Sequence, residues 1–185
     1  MKITVVTSNP NKATEVAAFF GDEVEVTHVA LECPEYRDDD VGEIARQKAA
    51  FAFEKVGSPV IVDDTGFYIS HLNGFPGPYA AYVLDTIGLE GILNLMGGAT
   101  DRTGYFETAI AYADETGITI FRGRVEGVIV SPRGSDGFGY DPIFEVNGRT
   151  FAEYPLNEKA AVSHRGRALA AFRDFITSQT HNENF

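Results

Sequence analysis

The chain has 185 residues, 44% of them hydrophobic, which is enough for a packed core. Its formal net charge of −12 and pI near 4.7 argue against the broad basic face that long nucleic acid requires. The lone Cys33 excludes an internal disulfide and a cysteine-only metal site, and it suits a reducing cytoplasm.

In chain order, residues 3–6 read as a short buried strand, too brief for a signal peptide or a membrane span. Asn9-Pro10-Asn11 is a turn. Ala13, Val16, Ala17 and Phe20 then share a helical face, and Gly21 closes the helix. Val24, Val26 and His28 alternate as a strand. Ile44, Ala45, Ala49, Ala52 and Val56 mark a second helix, ended by Gly57 with Pro59 beyond. Residues 60–62 form a strand that runs into Asp63-Asp64, and residues 67–69 continue the sheet. Residues 79–87 and 89–96 are short helices parted by Gly88. Residues 105–112 and 118–122 pair as a hairpin around Asp114-Glu115-Thr116-Gly117, with residues 125–130 as a further strand. Ala168, Leu169, Phe172 and Ile176 mark a last helix, and residues 179–185 a frayed polar tail. Helix–strand alternation followed by a run of strands predicts an α/β fold with a mixed central sheet flanked by helices. No linker, repeat or low-complexity tract divides the chain, so residues 1–185 are expected to form a single domain.

Several short motifs carry chemistry. Thr7-Ser8-Asn9-Pro10-Asn11-Lys12 lies between the first strand and the first helix, where unpaired N–H groups and a lysine suit phosphate. Taken alone, it also describes an ordinary capped helix, and the Walker pattern is absent. Asp63-Asp64-Thr65-Gly66 ends an apolar strand. Alternation along that strand would send one carboxylate to each side. Glu35 precedes an aspartate run at residues 38–40 that reads as a solvated loop. With Asp64 it is a candidate pair for magnesium, which takes one or two carboxylates in nucleotide sites. Lys48 on the second helix can reach back toward phosphates.

Residues 134–168 concentrate glycines, aromatics and charges in a segment too irregular for plain core. Phe138, Gly139, Tyr140 and Asp141 let backbone approach a flat ligand while a ring stacks on it. Ser163-His164-Arg165 adds hydrogen-bonding groups before a helix. His28, His71 and His181 carry no motif. Adjacent Ser163 and His164 lack the G-x-S-x-G elbow of a serine hydrolase.

Together these motifs resemble the Ham1-type inosine triphosphate pyrophosphatases, also described as XTP/dITP pyrophosphatases. TSNPNK, CPEY, VDDTGFYISHLNGFPGPY, GFGYDPIF and NEKAAVSHRGRAL occur in family order, from Thr7 to about Arg167. PEY and YVLDTIGLEGIL are closer to archaeal members. The resemblance implies a Ham1/Maf-like two-lobed architecture with a nucleotide cleft between the lobes. It implies magnesium-dependent hydrolysis of ITP, dITP or XTP to the monophosphate and pyrophosphate. Thr7, Ser8, Asn9, Pro10, Asn11 and Lys12 would hold the triphosphate. Glu35 and Asp64 would bind Mg2+, with Asp64 also the general base. Thr65 would contact substrate, and Lys48 stands at the family's helix lysine. Phe138, Gly139, Tyr140 and Asp141 would frame the base. Lys159, His164 and Arg165 would complete the pocket, with Arg165 or His164 donating to a 6-oxo group.

Three positions depart from common family patterns: Ala80 in place of serine, Tyr82 in place of arginine, and Tyr140 in place of the tryptophan of animal members. The expected partner is a purine nucleoside triphosphate, with no long nucleic acid and no membrane. Relatives are commonly homodimers, and Phe51, Phe53 and Phe75 are candidates for an interface or for core. Two readings stay open beside this one: a non-catalytic nucleotide-binding protein on the same fold, and a pyrophosphatase preferring modified pyrimidines.

Overall fold

The computed structural model describes residues 2–182, with side chains up to residue 179. Strands β1 (Lys2–Val6), β2 (Glu25–Val29), β3 (Val60–Ile69), β5 (Thr103–Asp114), β6 (Gly117–Ile129), β7 (Phe144–Val146) and β8 (Arg149–Thr150) form one sheet in the order β2-β1-β3-β5-β6-β7-β8. Short β4 (Pro76–Gly77) pairs with the far end of β3. β1 lies parallel to both β2 and β3, whereas β3, β5, β6, β7 and β8 run antiparallel in turn, so the sheet is mixed.

Helices α1 (Pro10–Phe20), α4 (Leu156–Val162) and α5 (His164–Asn182) cover one face, and α2 (Val41–Val56) covers the other. Strand alternation sorts the core accordingly. Ile61 and Ile110 pack with Val16, Phe20, Leu169 and Phe172 on the α1–α5 side. Val60, Val62, Ala109, Ala111 and Ala113 meet Ala45, Ala49 and Ala52 of α2, small residues that let helix and sheet approach closely. A third cluster, with Phe67, Phe106, Phe144 and Phe151, joins α3 (Ala80–Leu95) to the far end of the sheet.

Local signals set the helix ends. Asn9 caps α1 by accepting the Asn11 N–H at 2.9 Å, and Pro10 occupies the first turn. Asp40 caps α2 through the Gly42 N–H at 2.8 Å and also takes two 2.7 Å bonds from Arg122 of β6. The aspartate run therefore ends in a structural carboxylate. Gly88 breaks α3 with non-helical φ/ψ of 66° and −172°, the division expected there.

Three expectations change. β3 is continuous through Asp63-Asp64-Thr65-Gly66. The separate strands expected at 118–122 and 125–130 are one strand, β6. Gly123 in its middle marks no turn: a Cβ there would run into the His164 carbonyl oxygen and the Ala168 amide of α5. The frayed tail is helical through Asn182, and residues 183–185 and the His181 side chain lie outside the described residues. No described helix is long and apolar enough to cross a membrane.

Candidate active site

β1 pairs with β3 at Val5 and Ile61, and β4 joins β3 again at Phe67. Between these points the β3 edge, with Asp63, Asp64 and Thr65, opens onto a cavity of about 980 Å³. The β1–α1 turn, the chain before α2, the start of α3, the 138–141 loop and the start of α5 supply its other walls.

Asp63 and Asp64 point to opposite faces. Asp63 meets Lys12 of α1 at 3.0 Å and Arg165 Nε of α5 at 2.7 Å. Burial pushes the Asp63 carboxyl up, but Arg165 and Lys12 outweigh it and hold it well below the usual carboxylate range. Asp64 turns to α2, where Lys48 Nζ donates to Oδ1 at 2.8 Å. Its Oδ2 is buried without a hydrogen-bond partner. Burial raises this carboxyl, and Lys48 and Lys12 offset that only in part.

Behind the cavity wall, Glu15 of α1 pairs with both Lys159 and Arg165. Lys159 also donates to Asp141 Oδ2 at 2.6 Å. Asp141 in turn accepts the Phe138 N–H at 2.8 Å, which shapes the loop. Gly137 permits this turn: its φ is +74°, and a Cβ would strike the Asp141 carboxylate. Four cations (Lys12, Lys48, Lys159, Arg165) thus face four carboxylates (Glu15, Asp63, Asp64, Asp141), and the cluster is electrically balanced.

Phe138 lies half-buried at the cavity, its ring 4.7 Å from Lys159 Nζ and 6.0 Å from the Arg165 guanidinium. Tyr140 is buried, packs on Phe67 and donates to the Ala80 carbonyl at 2.6 Å, so it ties the loop to α3. His164 stacks on Phe106 at 4.8 Å, and its Nδ1 lies 2.6 Å from Thr108 Oγ1. Burial, with Arg165 and Lys159 nearby, holds the imidazole pKa far below its ordinary value, so the ring is neutral at pH 7. Arg165 spends Nε on Asp63, Nη1 on Glu15 and Nη2 on Thr65.

Of the residues singled out in the sequence, Thr7, Ser8, Asn9, Lys12, Glu35, Lys48, Asp64, Thr65, Phe138, Gly139, Tyr140, Asp141, Lys159, His164 and Arg165 line this one cavity. Pro10 and Asn11 do not; they build the first turn of α1 with their side chains exposed. Ala80 and Tyr82 both line the cavity, and Tyr82 is 68% exposed. Sequence reasoning missed Glu15 and Thr108. Glu15 stands one helical turn beyond Lys12, a spacing that could have flagged it. A threonine in a strand gives no such signal.

The donor set suits a hard divalent cation. Asp64 Oδ2 is an unsatisfied buried oxygen, and Glu35 is exposed on the cavity wall. No cluster of three or more ligating side chains occurs among the described residues, so substrate oxygens and water would complete such a site.

The Ham1 family profile matches residues 3–175. A dITP/XTP pyrophosphatase of Thermococcus kodakarensis is 44% identical over 180 residues, covering 95% of this chain and 97% of its own. An inosine triphosphate pyrophosphatase of Aspergillus fumigatus is 40% identical, with 97% of each chain covered. The solved HAM1 protein of Coxiella burnetii superposes with a TM-score of 0.83 at 31% identity, covering 96% of this chain and 99% of that one. A fold shared with solved Ham1 proteins and a match along most of the sequence lead to one conclusion: the chain belongs to the Ham1 family.

Proposed function

We propose that the protein hydrolyses ITP, dITP and XTP between the α and β phosphates, releasing the monophosphate and pyrophosphate with Mg2+ as cofactor. The observation that carries this reading is Asp64, a buried carboxylate with one oxygen held by Lys48 and the other unsatisfied, on the open edge of β3. Relatives named dITP/XTP pyrophosphatase and inosine triphosphate pyrophosphatase support the substrate class.

The roles follow from charge and position. The α1 N-terminus offers N–H groups to phosphate oxygens, and Lys12 stands one turn inside it. Because the buried cations are already matched by carboxylates, an incoming triphosphate needs further positive charge. Glu35 and Asp64 would hold Mg2+, which supplies that charge and polarises the phosphoryl oxygens. Asp64 orients water and takes its proton. Lys159 and the α1 amides steady the phosphates, so positioning and charge neutralisation lower the barrier. Phe138 offers a ring face to the base, and neutral His164 offers a ring nitrogen.

We also propose that the protein is a cytoplasmic homodimer. The exposed Phe75, Tyr79, Tyr82, Ile87 and Leu95 around α3 support a self-association surface. Phe51 and Phe53 are half-buried, and Phe53 packs into the α2-side core.

Product analysis with ITP, XTP, ATP and a modified pyrimidine triphosphate, with and without magnesium, tests the proposal. Monophosphate and pyrophosphate from ITP and XTP, dependent on magnesium, are expected. Initial release of orthophosphate and a diphosphate would overturn the regiochemistry. Turnover confined to the pyrimidine would overturn the substrate class, and binding without turnover would leave a nucleotide-binding protein.

A further inference from the structure

Thr108 of β5 is fully buried and lies opposite Thr65 of β3. Its Oγ1 is 2.7 Å from Thr65 Oγ1 and 2.6 Å from His164 Nδ1. Thr65 Oγ1 also accepts from Arg165 Nη2 at 3.3 Å. The result is a line of four groups, Arg165, Thr65, Thr108 and His164, beside the cavity.

Counting protons gives the line a direction. A guanidinium donates and never accepts, whereas each threonine hydroxyl has one proton and two lone pairs. If Thr65 accepts from Arg165 and donates to Thr108, then Thr108 donates to Nδ1. Every proton along the line then has an acceptor within it. In the reverse direction, Thr65 would accept two bonds and its own proton would leave the line and turn to the cavity that Thr65 borders. A charged donor at the head also polarises each hydroxyl behind it in the first direction.

We infer that Thr108 is a positioning residue for base selection, holding His164 in the tautomer that carries its proton on Nε2. This rests on the purine triphosphate reading above. Among the described residues Nε2 has no protein partner; it is not sealed from solvent, and His164 lines the cavity. Stacking on Phe106 fixes the ring plane. The ring therefore presents an N–H. That group matches the 6-oxygen of inosine or xanthine and opposes the 6-amino group of adenine, where donor would meet donor. Because the buried ring stays neutral, tautomer rather than charge sets what it offers.

The test reads the tautomer directly. Ring-nitrogen NMR on uniformly 15N-labelled protein, with His164→Gln to assign the signals, should show Nε2 protonated and Nδ1 as an unprotonated acceptor at pH 7. A protonated Nδ1 would overturn the inference. Thr108→Val keeps the shape but cannot donate. It should lower the ratio of kcat/KM for ITP to that for ATP roughly two- to tenfold, the worth of one neutral hydrogen bond, and shift the Nδ1 signal. Thr108→Ser should restore both. Equal losses on ITP and ATP with an unmoved Nδ1 signal would make Thr108 a packing residue and overturn the inference. Should Thr108→Val fail to fold, the wild-type signals and Thr108→Ser still decide it. If the wild type hydrolyses neither nucleotide, the functional reading falls, whereas the nitrogen signals still settle the tautomer.

Discussion

Lys48 holds one oxygen of Asp64 at 2.8 Å and leaves Oδ2, the other, buried and unpartnered. A buried polar atom without a partner costs stability, commonly about 1–3 kcal/mol. Such a cost persists in a fold when a ligand or a reaction uses the atom.

Asp64→Asn should therefore depress turnover much more than nucleotide binding. Loss of a placed acid–base group costs roughly 10²–10⁴-fold in rate. Steady-state kinetics on ITP, with nucleotide affinity measured by calorimetry, separates the two. Near-normal turnover in a folded variant would remove Asp64 from the chemistry and turn attention to Glu35.

Glu15 lies outside the cavity wall but bridges Lys159 and Arg165, both almost fully buried. Removing one partner of a buried ion pair typically costs about 3–5 kcal/mol, because the cation left behind is uncompensated. Glu15→Gln keeps the shape and should lose much of that amount in urea unfolding. A midpoint unchanged from wild type would show that Asp63 and Asp141 satisfy the two cations alone.

Arg165 shares Glu15 with Lys159 and Asp63 with Lys12. Arg165→Ala should therefore disturb the phosphate side as well as the base side. KM should rise for ITP and ATP together, and the ITP preference should narrow to the extent that Arg165 itself meets the base. A selectivity ratio that stays fixed while both KM values climb would assign base reading to His164 and the 138–141 loop.

His164 links stability to pH. Its folded-state pKa lies well below the ordinary 6.5, so the unfolded chain takes up a proton first as the medium acidifies. The contribution is fully present above about pH 6.5 and drains as pH falls from there toward the folded value. Asp63 and Glu15, held low by their cations, lose theirs only below the usual carboxylate range. The stability difference between wild type and His164→Gln should change across pH 5–7 with a slope approaching about 1.4 kcal/mol per pH unit. A flat difference would mean that the imidazole titrates normally.

Much of this architecture was legible locally. Asn9, Gly21, Gly57 and Gly88 each marked a real helix boundary or break, because capping and positive φ are decided within a few residues. Asp63-Asp64-Thr65-Gly66 looked like the end of a strand for the opposite reason. The cations that let these carboxylates sit inside a sheet come from α1, α2 and α5, far away in sequence. Motif order singled out residues from distant parts of the chain that the fold brings to one cavity. The supports behind them, Glu15 and Thr108, escaped because their meaning lies entirely in partners that only folding brings near.

Gly123 belongs to none of these motifs, yet the first turn of α5 rests on the space where its side chain would be. His164 and Arg165 open that helix. Even one methyl group on the strand would act as a wedge, lifting the helix and swinging both residues relative to Thr65 and Thr108. On the reading proposed above, base selection thus depends in part on clearance at a position outside the cavity wall.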